Sequence, residues 1–159
     1  MDKKILTAYF TWSGNTKALA EKIHAQIGGD LFEIELETPY YGDYKEVAYG
    51  IAKEQKEKGI CPPLKNHIDV SNYDVIFTGT PAWWYTMAPP VMTFLAENSF
   101  KDKIIVPFIT HGGGGKYKIA EDMAKIAEGA KVLEPFVVFD KGDSKTIKEV
   151  TAWINSLEI

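Results

Sequence analysis

The chain has 159 residues, with 18 basic and 22 acidic side chains and a formal net charge of −4; 45% of it is hydrophobic and 25% charged. That length suits one domain over residues 1–159, and the composition excludes a disordered chain. The longest charged stretch, Lys53 to Lys58, mixes both signs, which excludes the basic footprint of a nucleic-acid binder.

The first apolar run, Ile5 to Phe10, reads as a strand and is too short for the apolar region of a signal peptide. Thr11 to Thr16 carries it directly into a helix whose Leu19, Ile23 and Ile27 share one face. Leu31 to Leu36 alternates apolar residues with glutamates, the pattern of a strand at a sheet edge. Tyr44 to Lys58 is a weaker helix, stopped by Gly59 and Pro62-Pro63. Val75 to Thr78 forms a third strand, and Val91, Phe94 and Leu95 mark the helix that follows it. Ile104 to Ile109 and Val132 to Phe139 are the fourth and fifth strands. The helices after them are marked by Ile119, Met123 and Ile126, and by Ile147, Val150, Ile154 and Leu157.

Strict alternation of strand and helix predicts an α/β fold, a doubly wound parallel sheet with helices on both faces. Five strands suit the order 2-1-3-4-5, with ligands beyond the carboxyl ends of the strands where the order reverses. The loops after the first, third and fourth strands are therefore the place to look for function.

The first loop, Thr11-Trp12-Ser13-Gly14-Asn15-Thr16, offers three hydroxyls, an amide and a glycine at the start of a helix. A phosphate monoester needs donors converging from a tight turn, and backbone N–H groups at a helix start supply part of them. The alternative is that Ser13, Asn15 and Thr16 only cap the helix. The loop has neither the GxxxxGK[ST] nor the GxGxxG pattern.

The second loop, Thr80 to Pro90, places Pro81-Ala82-Trp83-Trp84-Tyr85 together. Three adjacent aromatic residues in a loop cannot all face a core, and an indole can stack on a flat ring. The third, Thr110-His111-Gly112-Gly113-Gly114-Gly115, is costly to order, so its glycines are read as letting backbone N–H groups approach a ligand. His111 is its one ionisable side chain, suited to proton donation. His24 and His67 read as solvated, and three scattered histidines with the single Cys61 give no metal constellation. A lone cysteine and the absence of any run near the ~20 apolar residues of a membrane span point to the cytoplasm.

The motif [ST]-x-[ST]-G-N-T after the first strand, present as Thr11 to Thr16, resembles the phosphate-binding loop of the flavodoxin family, and the strand–helix series follows that family along nearly the whole chain. The resemblance implies bound FMN, held non-covalently. Pro81, Trp84, Pro90, Phe94 and Leu95 look more like the flavodoxin-fold quinone reductases, which implies that Pro81 to Trp84 lie along the flavin ring. The resemblance also implies that Thr110, His111, Gly112 and Gly113 approach its polar edge. Three functions remain open: an electron carrier between redox partner proteins, an FMN-dependent NAD(P)H reductase acting on small quinone-type acceptors, and a binding module without cofactor. At −4 the chain lacks the strongly acidic face of many carriers.

Overall fold

The computed structural model describes residues 3–159. Strand β1 (Ile5–Tyr9) leads through the first loop into α1 (Asn15–Ile27), and β2 (Asp30–Glu33) returns beside β1 in parallel. A helical arm follows without a break: α2 (Tyr44–Glu46), a π-helical stretch over Val47–Ile51, and α3 (Ala52–Lys58). Asp43 caps it, its carboxylate accepting the Glu46 N–H at 2.8 Å, and Gly59 closes it with φ 64°. The remaining elements are β3 (Val75–Trp83), β4 (Thr86–Met87), α4 (Pro89–Glu97), β5 (Ile104–His111), α5 (Ile119–Ile126), β6 (Lys131–Val132), β7 (Phe136–Phe139) and α6 (Thr146–Ser156).

The fold is the expected α/β class, but the sheet has seven strands in the order β2-β1-β3-β5-β6, in place of five in the order 2-1-3-4-5. Two local causes account for the difference. The expected fifth strand is divided at Leu133-Glu134-Pro135, where proline has no N–H for the ladder, so β6 pairs with the start of β5 and β7 with its end. The other is β3, which runs on through Pro81 and Ala82 to Trp83 and folds back on itself, pairing antiparallel with β4. Pro81, Ala82 and Trp83, expected in a loop, are thus strand residues.

Alternation along each strand divides the core between the two faces. Leu6, Ala8, Ile76 and Ile105 pack with Val91, Phe94 and Leu95 of α4 and Met123 of α5. Tyr9, Phe77, Val106 and Phe108 pack with Leu19 and Ile23 of α1 and Val150 of α6 on the other face. Because β1, β3, β5 and β7 are parallel, their carboxyl ends reach the same edge. The chain passes to β2 on one side of β1 and to β3 on the other, so the order reverses between β1 and β3.

Candidate functional site

At that edge the first loop makes a tight turn. Gly14 adopts φ 97°, which a side chain would strain, and its N–H donates to Thr11 Oγ1 at 3.1 Å. The Gly14 carbonyl then accepts the first helical bond, from Ala18 N–H at 3.0 Å. No side chain caps α1, so the reading of Ser13, Asn15 and Thr16 as helix caps fails. Open N–H groups at a helix start require another acceptor.

Thr16 and Thr110 are both buried, and their hydroxyls share a hydrogen bond of 2.8 Å that ties α1 to the end of β5. One of the two protons is used between them, so the pair presents a single O–H to a ligand. A cavity of about 390 Å³ opens at this point, within the size range of small-molecule sites. Trp12, Ser13, Asn15 and Thr16 form one wall, Pro81 and Ala82 of β3 another, and Thr110, His111 and Gly112 a third. Tyr44 of the arm and Asp140, just past β7, complete it.

A second cavity, of about 230 Å³, shares Tyr44, Ala82, His111 and Gly112 with the first and is therefore continuous with it. Its other walls are aromatic: Trp83, Trp84, Tyr85, Tyr49 and Tyr117. Trp83 is only 5% exposed and packs on Phe10, Tyr40 and Tyr44, so most of its indole belongs to the core. Trp84 lies at the tip of the β3–β4 hairpin, with the Tyr49 ring edge-on at 4.9 Å between centroids and Lys53 Nζ 4.7 Å above its face. Tyr85 stands against Tyr117 at 5.3 Å and beneath Lys56 Nζ at 5.7 Å.

The hairpin turn is two residues long, and both have positive φ, Trp84 at 50° and Tyr85 at 68°. Turns of that kind normally carry Asn-Gly, so two large rings here are strained, as happens at working sites. His111 ends β5 with Nδ1 accepting the Gly113 N–H at 3.0 Å and its ring edge-on to Phe139. The Gly113 amide, expected to reach toward a ligand, is thus engaged within the protein. Burial raises the Tyr44 phenol pKa, and the neighbouring Tyr49 and Tyr117 add to the effect, so Tyr44 remains a neutral donor.

Of the residues expected to hold the cofactor, Thr11, Gly14 and Gly113 shape the loops and the others line one cavity or the other, whereas Pro90, Phe94 and Leu95 are buried in α4 and line neither. Sequence reasoning missed Tyr44, Tyr49, Tyr117 and Asp140. Asp140 follows the last strand at its carboxyl end, a position that the strand-edge rule marks. Tyr117 follows the glycine loop by two residues and could have been found from it, whereas Tyr44 and Tyr49 come from the helical arm, remote from the motifs, and carry no comparable signal.

A family model described as Flavodoxin matches residues 4–157. The chain belongs to the flavodoxin family. Among solved structures it is similar to a proposed flavoprotein from Bacteroides eggerthii DSM 20697, at 29% identity and TM-score 0.85 over 99% of both chains. It is also similar to a flavoprotein in complex with FMN from Lactobacillus acidophilus NCFM, at 30% identity and TM-score 0.71 over 92% of this chain and 98% of that one. A flavodoxin from the domain Archaea shares the fold at 20% identity and TM-score 0.59, covering 94% of this chain and 92% of that one. No curated protein matches.

Proposed function

We propose that the chain binds one FMN non-covalently and acts as a single-domain electron-transfer flavoprotein of the cytoplasm. The observation that carries this reading is the uncapped start of α1, facing a cavity edged by the Ser13, Thr16 and Thr110 hydroxyls and continuous with an aromatic one. FMN has a charged phosphate at one end and a flat ring at the other, joined by a chain of hydroxyls. The donor set of the first cavity suits the phosphate: helix N–H groups, hydroxyls and the Asn15 amide, with no lysine in the wall. Asp140 is an acceptor suited to the sugar-alcohol hydroxyls, and the Trp84 hairpin with the His111 loop suits the ring. When bound, FMN supplies one- and two-electron redox chemistry; the protein binds it, orients it and excludes water. An exposed free thiol at Cys61 supports a reducing compartment. No helix among the described residues is long and apolar enough to cross a membrane.

The aromatic rim favours a second reading, an NAD(P)H-dependent reductase of small quinone-type acceptors. Lys53 and Lys56 lie over the rim rings, where a carrier docking to a basic partner would place carboxylates.

Titration with flavins tests the cofactor. FMN should bind at least tenfold more tightly than riboflavin, since each hydrogen bond to a charged phosphate contributes about 1.5–3 kcal/mol; equal affinities would sink the assignment. Mixing the yellow protein with NADH or NADPH then separates the two roles. Rapid bleaching by the nicotinamide alone supports the reductase, and reduction only through another flavoprotein supports the carrier.

A further inference from the structure

The glycine loop after β5 is held at two points, at Gly114, where the Tyr117 ring fills the place a Cβ would take, and at Gly113, by a hydrogen bond. A Cβ at Gly112, Gly113 or Gly115 would meet nothing within 4 Å, so packing does not fix these positions. Among the described residues, the amides of Gly112, Gly114 and Gly115 have no protein acceptor, whereas the Gly113 N–H donates to His111 Nδ1 at 3.0 Å. Gly113 sits at φ 129°, so this hydrogen bond holds Gly113 itself in a left-handed conformation. His111 itself is fixed from β7: its carbonyl accepts the Asp140 N–H at 2.8 Å, and its ring rests on Phe139 at 5.9 Å between centroids. An imidazole nitrogen accepts a hydrogen bond only while it carries no proton, so the neutral ring keeps its proton on Nε2.

We propose that His111 is the positioning residue of the glycine loop: its neutral imidazole latches Gly113, and protonation of Nδ1 sets two N–H groups against each other, releases the loop and weakens the hold on the flavin. The latch stands on this geometry alone, while its effect on the cofactor rests on the FMN reading above. His111 and Gly112 border both cavities, so the loop that is released is a wall of the site. Linkage gives the sign. If the flavin is held by the latched loop, binding to a protonated ring expels a proton, so affinity rises with pH through the imidazole titration and levels off above it. The other titratable groups bordering the cavities are Tyr44, Tyr49, Tyr85, Tyr117 and Asp140, with Lys53 and Lys56 above the rim.

The test uses the full chain with His111→Asn, whose side-chain oxygen has the reach of Nδ1 and accepts the same N–H without titrating, and with His111→Phe, which keeps a ring but no acceptor. The Gly113 amide resonance of the wild type, followed by NMR over about pH 5 to 8, should move in step with the His111 ring, and in His111→Asn it should stay still. Riboflavin is the binding probe, because the FMN phosphate has its own ionisation in this range. Below the imidazole titration its dissociation constant should rise about tenfold per pH unit in the wild type, the slope of one linked proton. In His111→Asn it should be flat and match the wild-type value at the alkaline end, and His111→Phe should bind weakly throughout. A Gly113 amide that ignores the ring, or a wild-type slope retained in His111→Asn, overturns the proposal. If neither flavin binds any variant while the amide still follows the ring, the cofactor reading and the latch's effect on it have failed, and the latch itself stands.

Discussion

The two ends of the paired cavity are built by opposite means. At the polar end the left-handed backbone falls on Gly14 and Asp140, residue types that tolerate it, and the loop is held by hydrogen bonds, from Gly14 N–H to Thr11 and between Thr16 and Thr110. At the aromatic end it falls on Trp84, Tyr85 and Tyr117, each of which costs about 1–2 kcal/mol in that conformation. There the offset comes from ring-on-ring and lysine-on-ring contacts supplied by the helical arm and the glycine loop. At one end the turn is shaped by residues close in sequence and tied once to a distant strand, at Thr110, whereas the other is a strained turn braced by distant rings and lysines.

The largest expected effect lies at the polar end. Ser13→Ala combined with Thr16→Ala removes the Ser13 donor, contributing about 1.5–3 kcal/mol toward a charged acceptor, and breaks the Thr16–Thr110 pair that presents the other O–H, so the FMN dissociation constant should rise at least about tenfold. Riboflavin, lacking the phosphate, should bind within a few-fold of its wild-type affinity. Titrating both ligands checks the contrast. A comparable loss for riboflavin would show that these hydroxyls serve the fold, and the distinction between the two ends would disappear.

At the aromatic end the expected effect is smaller, because strain and contacts oppose each other. Trp84→Asn with Tyr85→Gly installs the residues that a two-residue turn with positive φ favours. It relieves about 2–4 kcal/mol of backbone strain and forfeits two ring pairs and two cation contacts worth together about 2–5 kcal/mol. Urea unfolding without flavin should therefore show a net change within about 1 kcal/mol, while flavin affinity falls. A variant destabilised beyond that would mean that the contacts outweigh the strain and that the turn is an ordinary packed hairpin.

The same contrast explains what was legible in the sequence. Thr11 to Thr16 could be read because its turn is shaped from within, by the φ of Gly14 and its bond with Thr11, whereas the tie from Thr16 to Thr110 could not. The alternation of elements fixed the fold class, yet the strand count went astray where a single residue decides pairing, at Pro135, and where β3 overran its apolar core into Pro81–Trp83. Trp83 and Trp84 are identical as letters. Which of them sinks into the core with Phe10 and Tyr40, and which stands at the turn, depends on partners more than 30 residues away. Tyr49 sits in a π-helical stretch that no spacing rule announces.

The glycine loop joins the two ends, and the smallest expected effects separate its members. Gly113 has φ 129° and open space around its missing side chain, so Gly113→Ala tests the backbone alone: no clash contributes, and the strain should cost at least about 1 kcal/mol. Gly112 also has open space, but its φ is not positive. Gly112→Ala should therefore be neutral or stabilising by up to about 1 kcal/mol, because alanine narrows the unfolded ensemble without straining the folded one. Denaturant unfolding of the two variants, side by side, measures the difference with composition held constant. Equal costs would show that the loop exchanges among conformations and has no fixed left-handed position, which would place it with neither end of the cavity. A cost confined to Gly113 would place it with the polar end, where Gly14 takes the left-handed backbone and a hydrogen bond holds it there.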